Sequence, residues 1–223
     1  MRLSLFATAA ILLLQSPLAA VTIGQFQTFD DPNHQWVFGG GPGGVSTTPL
    51  TLELGGPGGP ADPFLPIVST GGTGPGSRLS AQNFGLWAGD YTGINGIRMD
   101  VRNFGTTDVS LRLLFVQFGA MGPVNAAVTT NAVEVLGGAG WQTVQFDISP
   151  AAMTAVIGSV SGALANTEEF RIFHSSGPTF EPGNIPAIAA NVGLDNIAAV
   201  PEPSTAALLL CGLLFMVPRI RRG

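Results

Sequence analysis

Val109-Ser110-Leu111-Arg112-Leu113-Leu114-Phe115-Val116-Gln117-Phe118 is the stretch that settles the fold class. Apart from Arg112 and Gln117 it is apolar on both faces, the pattern of a central strand buried between two layers. Upstream, Ile97, Met99 and Val101 alternate with Arg98, Asp100 and Arg102, which gives a strand with one wet face. Downstream, Val133-Glu134-Val135, the glycine-rich Gly137-Gly138-Ala139-Gly140 and then Trp141 to Ile148 read as a hairpin. Phe170, Ile172 and His174 alternate with Arg171, Phe173 and Ser175, and Val192 to Ala198 forms a closing strand. Gly and Pro cluster between these runs, at 39–44, 55–60 and 71–76, where turns and loops belong. Only Pro150 to Ile157 has a helical look. The expected class is all-β, a sandwich of two antiparallel sheets.

The ends differ from this body. Met1-Arg2 followed by an apolar run from Leu3 to Leu14 and the small residues of Pro17-Leu18-Ala19-Ala20 has the layout of a secretory signal helix, with cleavage after Ala20. At the other end, Val200-Pro201-Glu202-Pro203-Ser204 precedes an apolar run from Ala206 to Val217, then Pro218 and a basic stop of Arg219, Arg221 and Arg222. A full membrane helix needs roughly 20 apolar residues, so this span is short, and the arginines behind it suit the cytoplasmic side. Cys211, the one cysteine of the chain, reads as an apolar filler within that span. The Pro-Glu-Pro motif, greasy segment and basic stop in this order resemble the PEP-CTERM sorting signal of Gram-negative bacteria. That resemblance implies an exosortase as partner, transient residence in the inner membrane and delivery to the cell surface or an exopolysaccharide matrix. The expected division is 1–20 signal peptide, 21–199 sandwich and 200–223 sorting signal with a short hydrophobic transmembrane helix. A plain C-terminal anchor is the alternative.

Charge removes several functions. The chain has no Lys, and within 21–200 five arginines (Arg78, Arg98, Arg102, Arg112 and Arg171) face thirteen acids, a net charge of −8. Nucleic-acid binding needs cationic patches that displace counterions, so none is expected. A Walker lysine and a Schiff-base lysine are equally absent. With no Cys in the body, no disulfide can staple it.

Three segments carry a second resemblance. The body opens with Gln25-Phe26-Gln27-Thr28-Phe29-Asp30-Asp31, its middle holds Gly96 to Asn103 and Trp141-Gln142-Thr143-Val144-Gln145-Phe146-Asp147-Ile148-Ser149, and it closes on Val192-Gly193-Leu194-Asp195-Asn196-Ile197. This order resembles the jelly-roll sandwiches of carbohydrate-binding modules and galactose-binding-like domains. The resemblance implies that the first and last strands meet, with a structural Ca2+ held by Asp30 or Asp31 together with Asp195 and backbone carbonyls. Asp30-Asp31-Pro32-Asn33 is also a good turn, and Asp195-Asn196 can simply end a strand. For sugar binding, Trp36, Trp87 and Tyr91 are the aromatic candidates, with Asp90 and Asn95 as hydrogen-bond partners; the alternative places these rings in the core beneath a loop. Trp141 is assigned to the core, as the family strand would place it.

No catalytic constellation emerges. Glu168 and Glu169 are sequential and would point to opposite faces of a strand, whereas a glycosidase needs facing carboxylates. His34 and His174 have no nucleophile at motif spacing. The expected function is therefore non-catalytic: an exported surface or matrix protein that binds polysaccharide. The alternatives are a self-associating architectural protein and, further off, an extracellular polysaccharide hydrolase.

Overall fold

A computed structural model describes residues 21–39, 48–72, 77–180 and 186–201. The expected signal helix and, beyond Pro201, the rest of the tail (Glu202, Pro203, Ser204, Arg219, Arg221 and Arg222 included) lie outside the described residues. The described residues contain thirteen strands: β1 Phe26–Gln27, β2 Trp36–Phe38, β3 Glu53–Leu54, β4 Pro63–Thr70, β5 Ser80–Asn83, β6 Gly96–Asn103, β7 Val109–Gly119, β8 Gly122–Thr129, β9 Val133–Val135, β10 Gln142–Asp147, β11 Met153–Ile157, β12 Glu169–His174 and β13 Ala189–Val200. One short helix, α1 Val160–Ala165, joins β11 to β12. Among the described residues no helix is long and apolar enough to cross a membrane.

The strands form two antiparallel sheets. One runs β10-β6-β13-β4-β3, with β1 on β13; the other runs β11-β8-β7-β12-β5-β2, with β9 on β7. The first and last strands do meet, Phe26 opposite Ala198 and Gln27 opposite Ile197. The inner faces supply the core. Leu65, Ile67, Ile97, Met99, Val101, Val192 and Leu194 come from one sheet, and Leu111, Leu113, Phe115, Phe170 and Ile172 from the other. Strand β7 is central as its apolar run demands, paired to β12 on one side and to β8 and β9 on the other. Arg112 survives burial there because its guanidinium donates to the carbonyls of Ser175, Thr129, Thr130 and Ser176.

Two local expectations fail. The segment around Gly137–Gly140 is not a hairpin turn: β9 pairs with β7 in one sheet, while β10 pairs with β6 in the other. The glycines carry the chain across the sandwich, and a Cβ on Gly137 would collide with the backbone of Thr106. Asn103 pins the crossing, donating to the carbonyls of Thr107 and Val135 while its oxygen accepts from Gly105 N. Nor is Pro150–Ile157 a helix. Its first turn, Pro150–Ala152, is 3-10, and the rest is β11, whose alternating burial lets it pair with β8. The helix starts later, capped by Ser159, whose hydroxyl accepts from Gly162 N.

Candidate functional site

The aromatics picked out for ligand binding belong to the core. Trp36, Trp87 and Tyr91 are at most 1% exposed. They pack around Phe170, with ring centroids 5.8, 5.7 and 6.1 Å from it. Each polar tip has an internal partner: both indole N–H groups donate to the buried Gln27 side-chain oxygen, and the Tyr91 hydroxyl donates to the Trp87 carbonyl. Gln27 was the missing signal, for one buried amide oxygen between two indoles satisfies both and frees them from solvent. Asp90 and Asn95 remain at the loop but serve the ends of the body. The Asp90 carbonyl accepts from Val21 N, and Asn95 N donates to the Val200 carbonyl.

Of the expected calcium set, Asp30 and Asp195 lie within electrostatic reach of one another. Asp30 accepts from the Thr28 hydroxyl, and Asp31 accepts from Asn33 N in an Asx turn. Among the described residues no group of three carboxylate, imidazole or thiolate ligands converges. His34 and His174 are tied to the backbone, each Nδ1 accepting an amide, from Trp36 and Ser110 respectively.

What the fold does build is a polar, aromatic-edged surface on the outer face of the β10-β6-β13-β4 sheet. Register places Thr143, Asp100 and Asp195 in one row and Gln145, Arg98, Ala198 and Phe26 in another. The side chain of Asn196 donates to Asp100. It can do so because Asn196 has a left-handed backbone (φ 52°) at an irregularity in β13, a conformation Asn tolerates better than most residues. Asp195 is buried in this row, and its carboxyl is pushed up to about 7. Burial is the main cause; the Asn196 amide opposes it, while Asp62, Asp100 and Asp30 reinforce it.

Aromatic rings edge this strip at both ends. Phe26 is 55% exposed beside the Arg98 row. At the other end Trp141, which the sequence reading put in the core, lies half-buried on the outer face. There it meets Phe64 and Phe104 edge-on, and its indole N–H donates to the Gly55 carbonyl. These three rings close over Gly193, where any Cβ would come within 2.8–2.9 Å of all of them. The Arg102 guanidinium lies 4.4 Å from the Phe104 ring centre. Two buried polar atoms beside the cluster, Arg102 Nε and Asn191 Oδ1, have no hydrogen-bond partner. On ordinary strand spacings the two aromatic ends stand roughly 20 Å apart.

Among the described residues the opposite sheet offers no such face. Outward residues Leu114, Val116, Val128 and Phe173 are buried with Phe180 in a second apolar cluster. Beside them Glu169 and Arg171 form a buried ion pair at 2.6 Å.

No protein-family model matches the chain, and no curated protein matches it in sequence. Solved structures do. The chain is similar to the family 11 carbohydrate-binding module of the cellulosomal cellulase Lic26A-Cel5E of Clostridium thermocellum, at 11% identity and a TM-score of 0.50, covering 81% of this chain and 96% of that one. The sandwich is a jelly roll. A second structure of a family 11 module from the same organism, in complex with a beta-1,3-1,4-mixed-linked tetrasaccharide, matches at 13% identity and a TM-score of 0.50, over 81% of this chain and 97% of that one. At such identities the likeness concerns the jelly-roll fold.

Proposed function

We propose that this jelly roll binds polysaccharide, without catalysis, on the outer face of the sheet that contains β6, β10 and β13. The observation that carries the reading is the strip of Arg98, Asp100, Thr143 and Gln145 edged by Phe26 at one end and by Trp141 and Phe104 at the other. Sugar rings present apolar faces to aromatics and hydroxyls to polar side chains, so a chain of them suits a surface that alternates the two. Arg102 Nε and Asn191 Oδ1 support the same reading. They are a buried donor and a buried acceptor without a protein partner beside the aromatic cluster, groups of the kind a sugar hydroxyl complements. The carbohydrate bound by one of the similar structures points the same way.

The reading includes export. Residues 1–20 act as a removed leader, and the motif from Val200 to Ser204 with Arg219, Arg221 and Arg222 acts as a PEP-CTERM-type signal handled by an exosortase. The body over 21–199 then reaches the cell surface or the matrix.

Affinity electrophoresis on mixed-linked glucan, xylan, agarose and the host's own exopolysaccharide tests the binding. The wild-type body is retarded by at least one of these, and Trp141→Ala and Phe26→Ala each weaken it about tenfold, about 1.4 kcal/mol, with the thermal transition retained. Unretarded migration of the wild type in every gel, or wild-type affinity in both variants, overturns it. Cell fractionation with and without the exosortase tests the sorting: the protein accumulates in the inner membrane when the enzyme is missing.

A further inference from the structure

Among the described residues, eleven large apolar side chains are exposed, and six of them gather at one end of the sandwich. Ile23 tops the turn at 22–25, and Phe84 and Leu86 follow β5. Met121, which is fully exposed, tips the β7–β8 hairpin, with Val124 just behind it and Ile157 at the end of β11. Hydrogen bonds tie these turns to a single pole: the Gln25 side chain donates to the Leu86 carbonyl, Gly24 N to Ala199, and Gly89 pairs with Thr167 ahead of β12, whose Glu169 lies opposite Val116 near the end of β7. The remaining five, Phe26, Leu54, Val68, Phe104 and Leu136, are spread over the polar sheet face and the far end. Exposed apolar groups concentrated in this way mark a surface that something covers.

Both ends of the body leave from the same pole. Val21 N donates to Asp90, and Asn95 N donates to Val200, from which the chain continues into Pro201 and, six residues beyond Val200, the apolar run that starts at Ala206. With so short a connection, a bilayer that holds residues 206–217 lies against this pole and no other. We propose that the pole formed by Ile23, Phe84, Leu86, Met121, Val124 and Ile157 is a membrane-docking surface, seated on the bilayer that takes up residues 206–217. The proposal rests on reading those residues as an anchor. Asp90, Asp147 and Glu168 at this end are acidic, so the contact is apolar rather than an attraction to anionic lipid. Docked this way, the strands stand upright on the membrane and the polar sheet face looks sideways, clear of the lipid.

The test is amide hydrogen exchange on the full chain in phosphatidylcholine nanodiscs at one copy per disc, against the Ile23→Ser/Leu86→Ser/Met121→Ser variant. Exchange in segments 22–25, 84–88 and 119–124 is slower in the wild type on the order of tenfold, while segment 104–108 at the far pole exchanges equally in both. Equal exchange of the three segments in wild type and variant, both disc-bound, overturns the docking and leaves the anchor standing. Failure of the wild type to enter discs overturns the anchor and the docking with it. Protection that grows only as copies per disc increase assigns the patch to a second copy and overturns the lipid assignment.

Discussion

Two buried side chains carry opposite loads. Gln27 takes an indole N–H from each of Trp36 and Trp87, so Gln27→Ala leaves two donors unsatisfied in the core. At about 1–3 kcal/mol for each buried group left open, that single change removes a large part of the stability of a domain this size; a urea transition moved sharply to lower concentration is the expected result. Asp195 works the other way. Its carboxyl is raised to about 7 in the folded chain from an ordinary value of 3.8, so the folded state holds a proton that the unfolded state releases between those values. Stability is therefore full below pH 4 with respect to this group and falls as pH rises toward 7, by up to about 1.4 kcal/mol per pH unit. Asp195→Asn flattens that slope and stabilises the protein at pH 8, which denaturant midpoints from pH 4 to 8 will report.

The strands with plain alternation were legible, and the irregular connections between them were not. Strands β6 and β7 follow directly from their side-chain patterns, and β13 from its apolar run, because burial on one face or two leaves a mark in every second residue. Strand β4 was hidden by Pro63 and Pro66, which argue against a central strand; it survives because only the two-residue β3 covers its outer side. The crossing from β9 to β10 looked like a hairpin because a glycine cluster marks a change of direction without saying which sheet the chain enters next. Trp141 was misplaced for a related reason. Period-two reading puts Trp141, Thr143 and Gln145 on one face of β10, but it cannot tell that this face is the outer one until Val144 and Phe146 are seen opposite Met99 and Ile97. The amide that fixes the crossing can be tested: Asn103→Ala costs about 2–3 kcal/mol through its lost buried hydrogen bonds and speeds amide exchange over 104–108 and 133–138 ahead of the rest of the sandwich.

Seen as a whole, the molecule has a polar flank and an apolar pole. The flank carries charge, hydroxyls and half-open aromatics; the pole carries bare apolar tips and both ends of the described body, Val21 and Val200. The strand that joins them is β13, the longest in the body, bonded to β6 on one side and to β4 and β1 on the other before it runs straight into Pro201. A protein tethered by its tail while its flank grips a polymer in flowing water would feel drag along that strand's own axis. The ladder bonds lie across this axis, so they would be sheared together rather than peeled one after another. Such an arrangement resists sudden tugging far better than its equilibrium stability alone would suggest.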